Sequence, residues 1–174
     1  MIGALLLAAA NIALCESCHG PGGNSAIAGT PSIAGQPATF LENQLVFFRE
    51  GLRNSPVMQG IAAAMKDEDI TALAKHFSTQ PAKPASAQPP DSAASAQAAE
   101  LAKRLHCAQC HLPSYAGRDQ MPRLAGQREE YLVEAMVGYR DGKRAGGDNT
   151  MSEVLYGVSD GDIKALAKYL ASLQ

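Results

Sequence analysis

An all-α fold of two tandem domains joined by a Pro/Ala-rich linker is predicted by three observations. Motifs recur at a nearly constant offset along the 174 residues, apolar residues follow helical spacing with no convincing strand alternation, and a proline-rich break lies mid-chain. The repeat is the strongest of the three. Cys15-Glu-Ser-Cys18-His19 returns as Cys107-Ala-Gln-Cys110-His111, an offset of 92. Pro31-Ser-Ile33-Ala34-Gly35-Gln36 returns as Pro122-Arg-Leu124-Ala125-Gly126-Gln127 at 91, with Phe40-Leu41 matching Tyr131-Leu132 and Phe48-Arg49-Glu50-Gly51 matching Tyr139-Arg140-Asp141-Gly142. The offset then becomes 93, pairing Asp67-Glu68-Asp69-Ile70 with Asp160-Gly161-Asp162-Ile163. This is a tandem duplication of one unit.

Each element follows from local pattern. Residues 1–14 are apolar and run straight into Cys15, where the second copy places its lead helix, 92–105. They lack the basic start of a signal peptide and are too short to span a bilayer. They are therefore expected to be the first helix, any export signal lying outside this numbering. Phe40–Gly51 and Arg128–Gly142 predict the middle helices, with a glycine stop in each. The last helices are expected to start at acidic caps near Asp67 and Asp160 and to run to Ser78 and Leu173. Residues 80–91 carry four prolines among Ala and Ser, an extended and solvated linker. The domains are accordingly 1–80 and 92–174, joined by 81–91; Asp91 or Ser92 is the expected cap of the second lead helix.

Composition excludes several classes. A net charge of −2 offers no nucleic-acid footprint. Trp is missing and aromatics are 5% of residues, so each core must be built from Ala, Leu, Ile and Met. Small helical units with such light cores need a staple, and a buried prosthetic group is one.

The four cysteines say which kind. C-x-x-C-H is the attachment signature of c-type haem: two thiols about one helical turn apart form thioethers with the vinyl groups, and the next imidazole becomes the proximal ligand. Cys15, Cys18 and His19 are the expected set in the first copy, and Cys107, Cys110 and His111 in the second. A zinc ribbon would place its pairs ~15–20 residues apart, a dithiol redox motif would want a βαβ context, and disulfides would not explain the two histidines. Two covalently bound haem c groups follow.

The repeat also sorts the six methionines. Met58 lies nine before Asp67 and Met151 nine before Asp160, equivalent places in a loop between the middle and final helices. The partner of Met65 is Val158, that of Met136 is Leu45, and Met121 has no Met counterpart. Met58 and Met151 are the expected distal ligands, so that the metal-binding residues are His19, Met58, His111 and Met151. His76 aligns with Tyr169 and His106 has no histidine counterpart; neither is given a ligand role.

These motifs, in this order from Cys-x-x-Cys-His-Gly through Gly22-Gly23-Asn24-Ser25, Ile33-Ala-Gly-Gln, Phe48-Arg-Glu-Gly, Met58 and Asp-x-Asp-Ile, resemble the dihaem cytochrome c4 family. The likeness covers nearly the whole chain apart from the linker. It implies two fused class I cytochrome c domains, His–Met ligation of both irons, haems near the domain contact, a periplasmic home, and Pro31 and Pro122 carbonyls accepting from the ligand His Nδ1. One departure is plain: after His111 the second copy has Leu112-Pro113-Ser-Tyr in place of the glycine-rich turn.

Irons closed by His and Met leave no vacant position, which points to electron transfer and not to catalysis. The expected role is a shuttle, free or loosely membrane-associated, between a respiratory donor and a terminal acceptor such as an oxidase. The alternative is the dihaem subunit of a dehydrogenase complex of flavocytochrome c type, with a flavoprotein as partner.

Overall fold

The computed structural model describes residues 2–85, 92–144 and 148–174. Among these are nine α-helices and no strand, only an isolated bridge between Arg118 and Met121. The first half holds α1 (Ile2–His19), α2 (Ala38–Arg49), α3 (Pro56–Ala62) and α4 (Asp67–Ser78). The second holds α5 (Ser92–Arg104), α6 (Cys107–His111), α7 (Glu129–Arg140), α8 (Thr150–Leu155) and α9 (Asp160–Ala171).

The two halves pack alike. In the first, α4 is the hub that receives α2 and α1; in the second, α9 receives α7 and α5. Leu41, Leu73, Ala74 and Phe77 centre the first core, and Leu132, Met136, Ile163, Leu166 and Leu170 the second. These are the i, i+3, i+4 faces that the spacing predicts. The middle helices stop where expected: Gly51 and Gly142 follow the C-caps with φ of 70° and 66°, the left-handed turn in which glycine costs least.

Matched hydrogen bonds reproduce the repeat at atomic level. Arg49 reaches the Met65 carbonyl and Asp67, while Arg140 reaches the Val158 carbonyl and Asp160. Gly35 N–H donates to the Phe77 carbonyl as Gly126 N–H does to that of Leu170. Each bond ties a middle segment to the terminal helix.

Three expectations are corrected. The last helices start on Lys66 and Ser159, not on acidic caps; the acidic residues fill the first turn, where they favour the helix dipole, and Ser159 Oγ accepts from Asp162 N–H. Met58 and Met151 sit on the short helices α3 and α8 and not in loops. Pro56 presets the first turn of α3 and the Asp148 carboxylate accepts from Thr150 N–H at the start of α8, and both helices are too short for a periodic signal. The second lead helix ends at Arg104, within one residue of the expected 105, and His106, with φ of 55°, turns the chain into the separate α6, whereas α1 is continuous through His19. Finally, the linker is not simply solvated. The Asn24 amide donates to the Pro81 carbonyl, Lys83 N–H donates back to Asn24 Oδ1, and Ala85 N–H donates to the Gly126 carbonyl, so 81–85 straps both halves. Residues 86–91, including the proposed cap Asp91, lie outside the described residues.

The departure after His111 keeps the same backbone path. Leu112 takes the place of Gly20 (φ 69° against 78°) and Tyr115 that of Gly23 (54° against 81°). The Tyr115 carbonyl accepts from the Leu124 and Ala125 N–H groups, as the Gly23 carbonyl accepts from Ile33 and Ala34. The loop geometry is preserved at the cost of two side chains in a left-handed conformation.

Between the halves the contact is polar and buried. Gln127 Oε1 accepts from Ser32 N–H and its Nε2 donates to the Ser32 carbonyl, both at 2.8 Å. Gln36 Oε1 accepts from Arg123 N–H and its Nε2 donates to the Arg123 carbonyl, both at 2.9 Å.

Candidate haem sites

The C-terminal end of α1 presents Cys15, Cys18 and His19 on one turn, and α6 presents Cys107, Cys110 and His111 in the same spacing. No disulfide joins these cysteines. Cys15 and Cys107 are half-buried and burial pushes their thiols up, while Cys18 and Cys110 are exposed. A covalent group held by each pair therefore has one edge toward the core and one toward the surface.

Each histidine is buried and oriented from behind. His19 Nδ1–H donates to the Pro31 carbonyl and His111 Nδ1–H to that of Pro122, both at 2.8 Å. Proline suits this place because it has no N–H of its own and its fixed φ holds the carbonyl steady. Burial holds both imidazoles below the usual histidine range, against the opposing effect of the carbonyl bond. Both rings thus stay neutral with Nε2 as the lone-pair nitrogen, the form that binds a metal. His111 Nε2 is buried and has no hydrogen-bond partner among the described residues. A buried polar atom left bare is costly, and an iron on that nitrogen resolves it. The donor set fits a haem in each half.

The surrounding space agrees. A cavity of about 530 Å³ is lined from both halves and takes in both histidines, all four cysteines, Met58 and Met151. Met65, Met121 and Met136 also line it, so lining does not by itself select the methionines. His76 packs edge-on against Phe77, and the exposed His106 stands at the cavity wall.

Sequence reasoning missed a group on the same wall. Tyr131 Oη accepts from Arg53 Nη2 at 3.2 Å and from Arg144 Nη2 at 2.9 Å. Burial pushes the Tyr131 phenol up, but the two guanidiniums outweigh it and bring it down to about 8. Only the pairing of Phe40 with Tyr131 in the repeat hinted that something here differs between the copies.

Known proteins carry the same plan. The family model described as Cytochrome c matches residues 95–174, and that described as Cytochrome C oxidase, cbb3-type, subunit III matches residues 7–77. The chain is 34% identical to a thiosulfate dehydrogenase electron acceptor of Thiomonas intermedia, over 92% of this chain and 78% of the relative. It is 30% identical to cytochrome c4 of Azotobacter vinelandii, over 92% and 85%. The crystal structure of reduced recombinant cytochrome c4 from Pseudomonas stutzeri superposes with a TM-score of 0.86 at 29% identity, covering 97% of each chain. With its two C-x-x-C-H motifs in two cytochrome c domains, the protein carries two covalent haem c groups and transfers electrons. The chain belongs to the dihaem cytochrome c4 family.

Proposed function

We propose that His19 and Met58 close the first iron, that His111 and Met151 close the second, and that the chain is a carrier and not an enzyme. The observation that supports this most directly is the matched placement of the two methionines. Each is half-buried at the same position of the repeat, on a short helix packed against its domain's middle helix and on the wall of the cavity that both imidazoles enter. The haem irons supply one-electron chemistry; the protein fixes the imidazoles, excludes water with the methionines, and leaves the exposed Cys18 and Cys110 edges toward partners. Such a centre changes oxidation state with little rearrangement.

The chain would work in the periplasm, taking electrons from a respiratory donor and passing them to a terminal acceptor such as an oxidase. Among the described residues no helix is long and apolar enough to cross a membrane. A second reading has its own support: the name of the Thiomonas relative favours a dehydrogenase as donor, thiosulfate dehydrogenase in particular, with this chain as its dihaem partner.

Ligand binding tests the closed irons. Wild-type ferrous protein should refuse carbon monoxide, while Met58→Ala and Met151→Ala should each bind one equivalent and lose potential at one haem. Unchanged titrations in either variant would redirect the assignment to Met65 or Met121. Rapid reduction by purified thiosulfate dehydrogenase plus thiosulfate, with stable co-purification, would select the second reading over the free shuttle.

A further inference from the structure

The two halves are not equivalent where they meet. Arg53 and Arg144 are repeat partners, and each guanidinium lies over a repeat-paired ring: Arg53 over Phe48 at 4.5 Å and Arg144 over Tyr139 at 4.9 Å. Neither forms an ion pair among the described residues. Arg53 also donates to Gln44 Oε1, but the partner of Gln44 in the second copy is Ala135, which offers no acceptor. Tyr131 stands where the first copy has Phe40, and its oxygen takes a hydrogen bond from both guanidiniums. One phenol from the second domain thus gathers a cation from each domain.

These cations are poorly neutralised. Arg144 Nε is buried with no partner among the described residues. Arg53, Tyr131 and Arg144 all line the cavity that His19 and His111 enter, with the carboxylates Glu134 and Asp148 elsewhere on its wall and in no ion pair among the described residues. A buried guanidinium with an unused donor calls for an oxyanion, and haem c brings propionate carboxylates into this cavity.

We propose that Tyr131 is a positioning residue for both haem sites: by holding Arg53 and Arg144 together at the domain seam, it aims one guanidinium from each domain at the haem carboxylates and sets the field that both irons feel. A cation held beside a haem favours the ferrous state, which carries one positive charge fewer. Releasing the two side chains toward solvent weakens that field at both irons together. The proposal concerns the haem carboxylates and stands apart from the methionine assignment.

The experiment is a redox titration of the holoprotein as Tyr131→Phe, which keeps the ring under Arg144 and removes only the hydroxyl. Both haems should become harder to reduce, each by about three- to tenfold in equilibrium constant, tenfold being 59 mV for a one-electron couple. A shift at one haem alone, or at neither, overturns the proposal. The sulfur-to-iron charge-transfer band of the oxidised protein, followed in the same sample, separates this effect from a lost methionine ligand. Arg53→Gln and Arg144→Gln supply a second reading that leaves Tyr131 in place. Each should lower the potential of the haem in its own domain more than the other, and Arg53→Lys should recover part of the loss. Unchanged potentials in both glutamine variants would also overturn the proposal.

Discussion

Gln36 and Gln127 reach across the domain seam in opposite directions, each closing a two-bond bridge onto the backbone of the other half. Gln127 grips Ser32 and Gln36 grips Arg123, and since Ser32 and Arg123 are themselves repeat partners, the contact is one interaction written twice. Both glutamines are 4% exposed. A side-chain amide can satisfy an N–H and a C=O at once, as a neighbouring strand would. The segments so gripped directly follow or adjoin Pro31 and Pro122, whose carbonyls orient the histidines. The seam therefore bears on the very loops that position both imidazoles.

Gln127→Ala should destabilise the protein by about 2–4 kcal/mol, because the Ser32 N–H and C=O each lose their partner in a buried place. For a chain of this size that is a fall of roughly 4–16 °C in melting temperature. Gln36→Ala should cost a similar amount. Scanning calorimetry of the double variant should show the two domains melting as separate transitions. A single, unshifted transition would mean that the bridges carry little of the coupling.

The duplication, the cysteine clusters and the main helices were legible because they rest on patterns that a short window contains. Gln36 and Gln127 stood inside a recognised repeat, Ile-Ala-Gly-Gln against Leu-Ala-Gly-Gln, yet their role needs the opposite domain to be present. Helices α3 and α8 escaped for a different reason: six or seven residues do not complete two turns, and a proline or a preceding Asp sets them off locally. The end of the second lead helix near 105 was legible, but the left-handed turn at His106 was not, because nothing in that residue's type demands a positive φ. The strap formed by 81–85 was unreadable from its Pro/Ala composition, since its hydrogen bonds use backbone groups that every residue owns.

The glycine turn and its replacement make opposite predictions. A Cβ on Gly20 would clash with the Asn24 carbonyl oxygen, so Gly20→Ala must displace backbone beside His19. It should reduce haem incorporation in the first domain. At the equivalent place Leu112, with φ 69° and ψ 157°, already bears a side chain in a region that is almost reserved for glycine. Leu112→Gly should release ~1–3 kcal/mol of strain, offset in part by ~0.5–1 kcal/mol of extra freedom in the unfolded chain. Thermal melts should show the variant equal to or above wild type; a clear loss would mean that packing by Leu112 outweighs its strain.

Tyr115 gives the stability a defined alkaline limb. Burial first, and then the neighbouring Tyr169, push its phenol up to about 12; the rings meet edge-on at 6.2 Å. A raised folded value means that the neutral phenol is favoured in the native state, so its contribution is complete below the unfolded value near ~10 and is lost as the pH rises toward 12. Denaturation of wild type against Tyr115→Phe should give parallel curves up to about pH 10 and then a steeper fall for wild type. Curves that stay parallel through pH 12 would show that this phenol ionises as freely in the fold as outside it.

Asn24 decides how firmly the linker lies on the first domain. Its amide makes two bonds to the strap, 3.1 Å to the Pro81 carbonyl and 2.7 Å from Lys83 N–H, whereas the second domain holds the strap through backbone alone, Ala85 to Gly126. Cleavage by a broad protease requires this segment to peel off before it can enter an active site. Each hydrogen bond stabilises the closed form by ~1 kcal/mol, so Asn24→Ala should raise the linker cleavage rate by roughly ten- to thirtyfold, 1.4 kcal/mol being tenfold. The products should be two haem-bearing fragments with unaltered spectra, since neither haem cradle includes the strap. Equal cleavage rates for variant and wild type would show that the Gly126 contact alone holds the linker down.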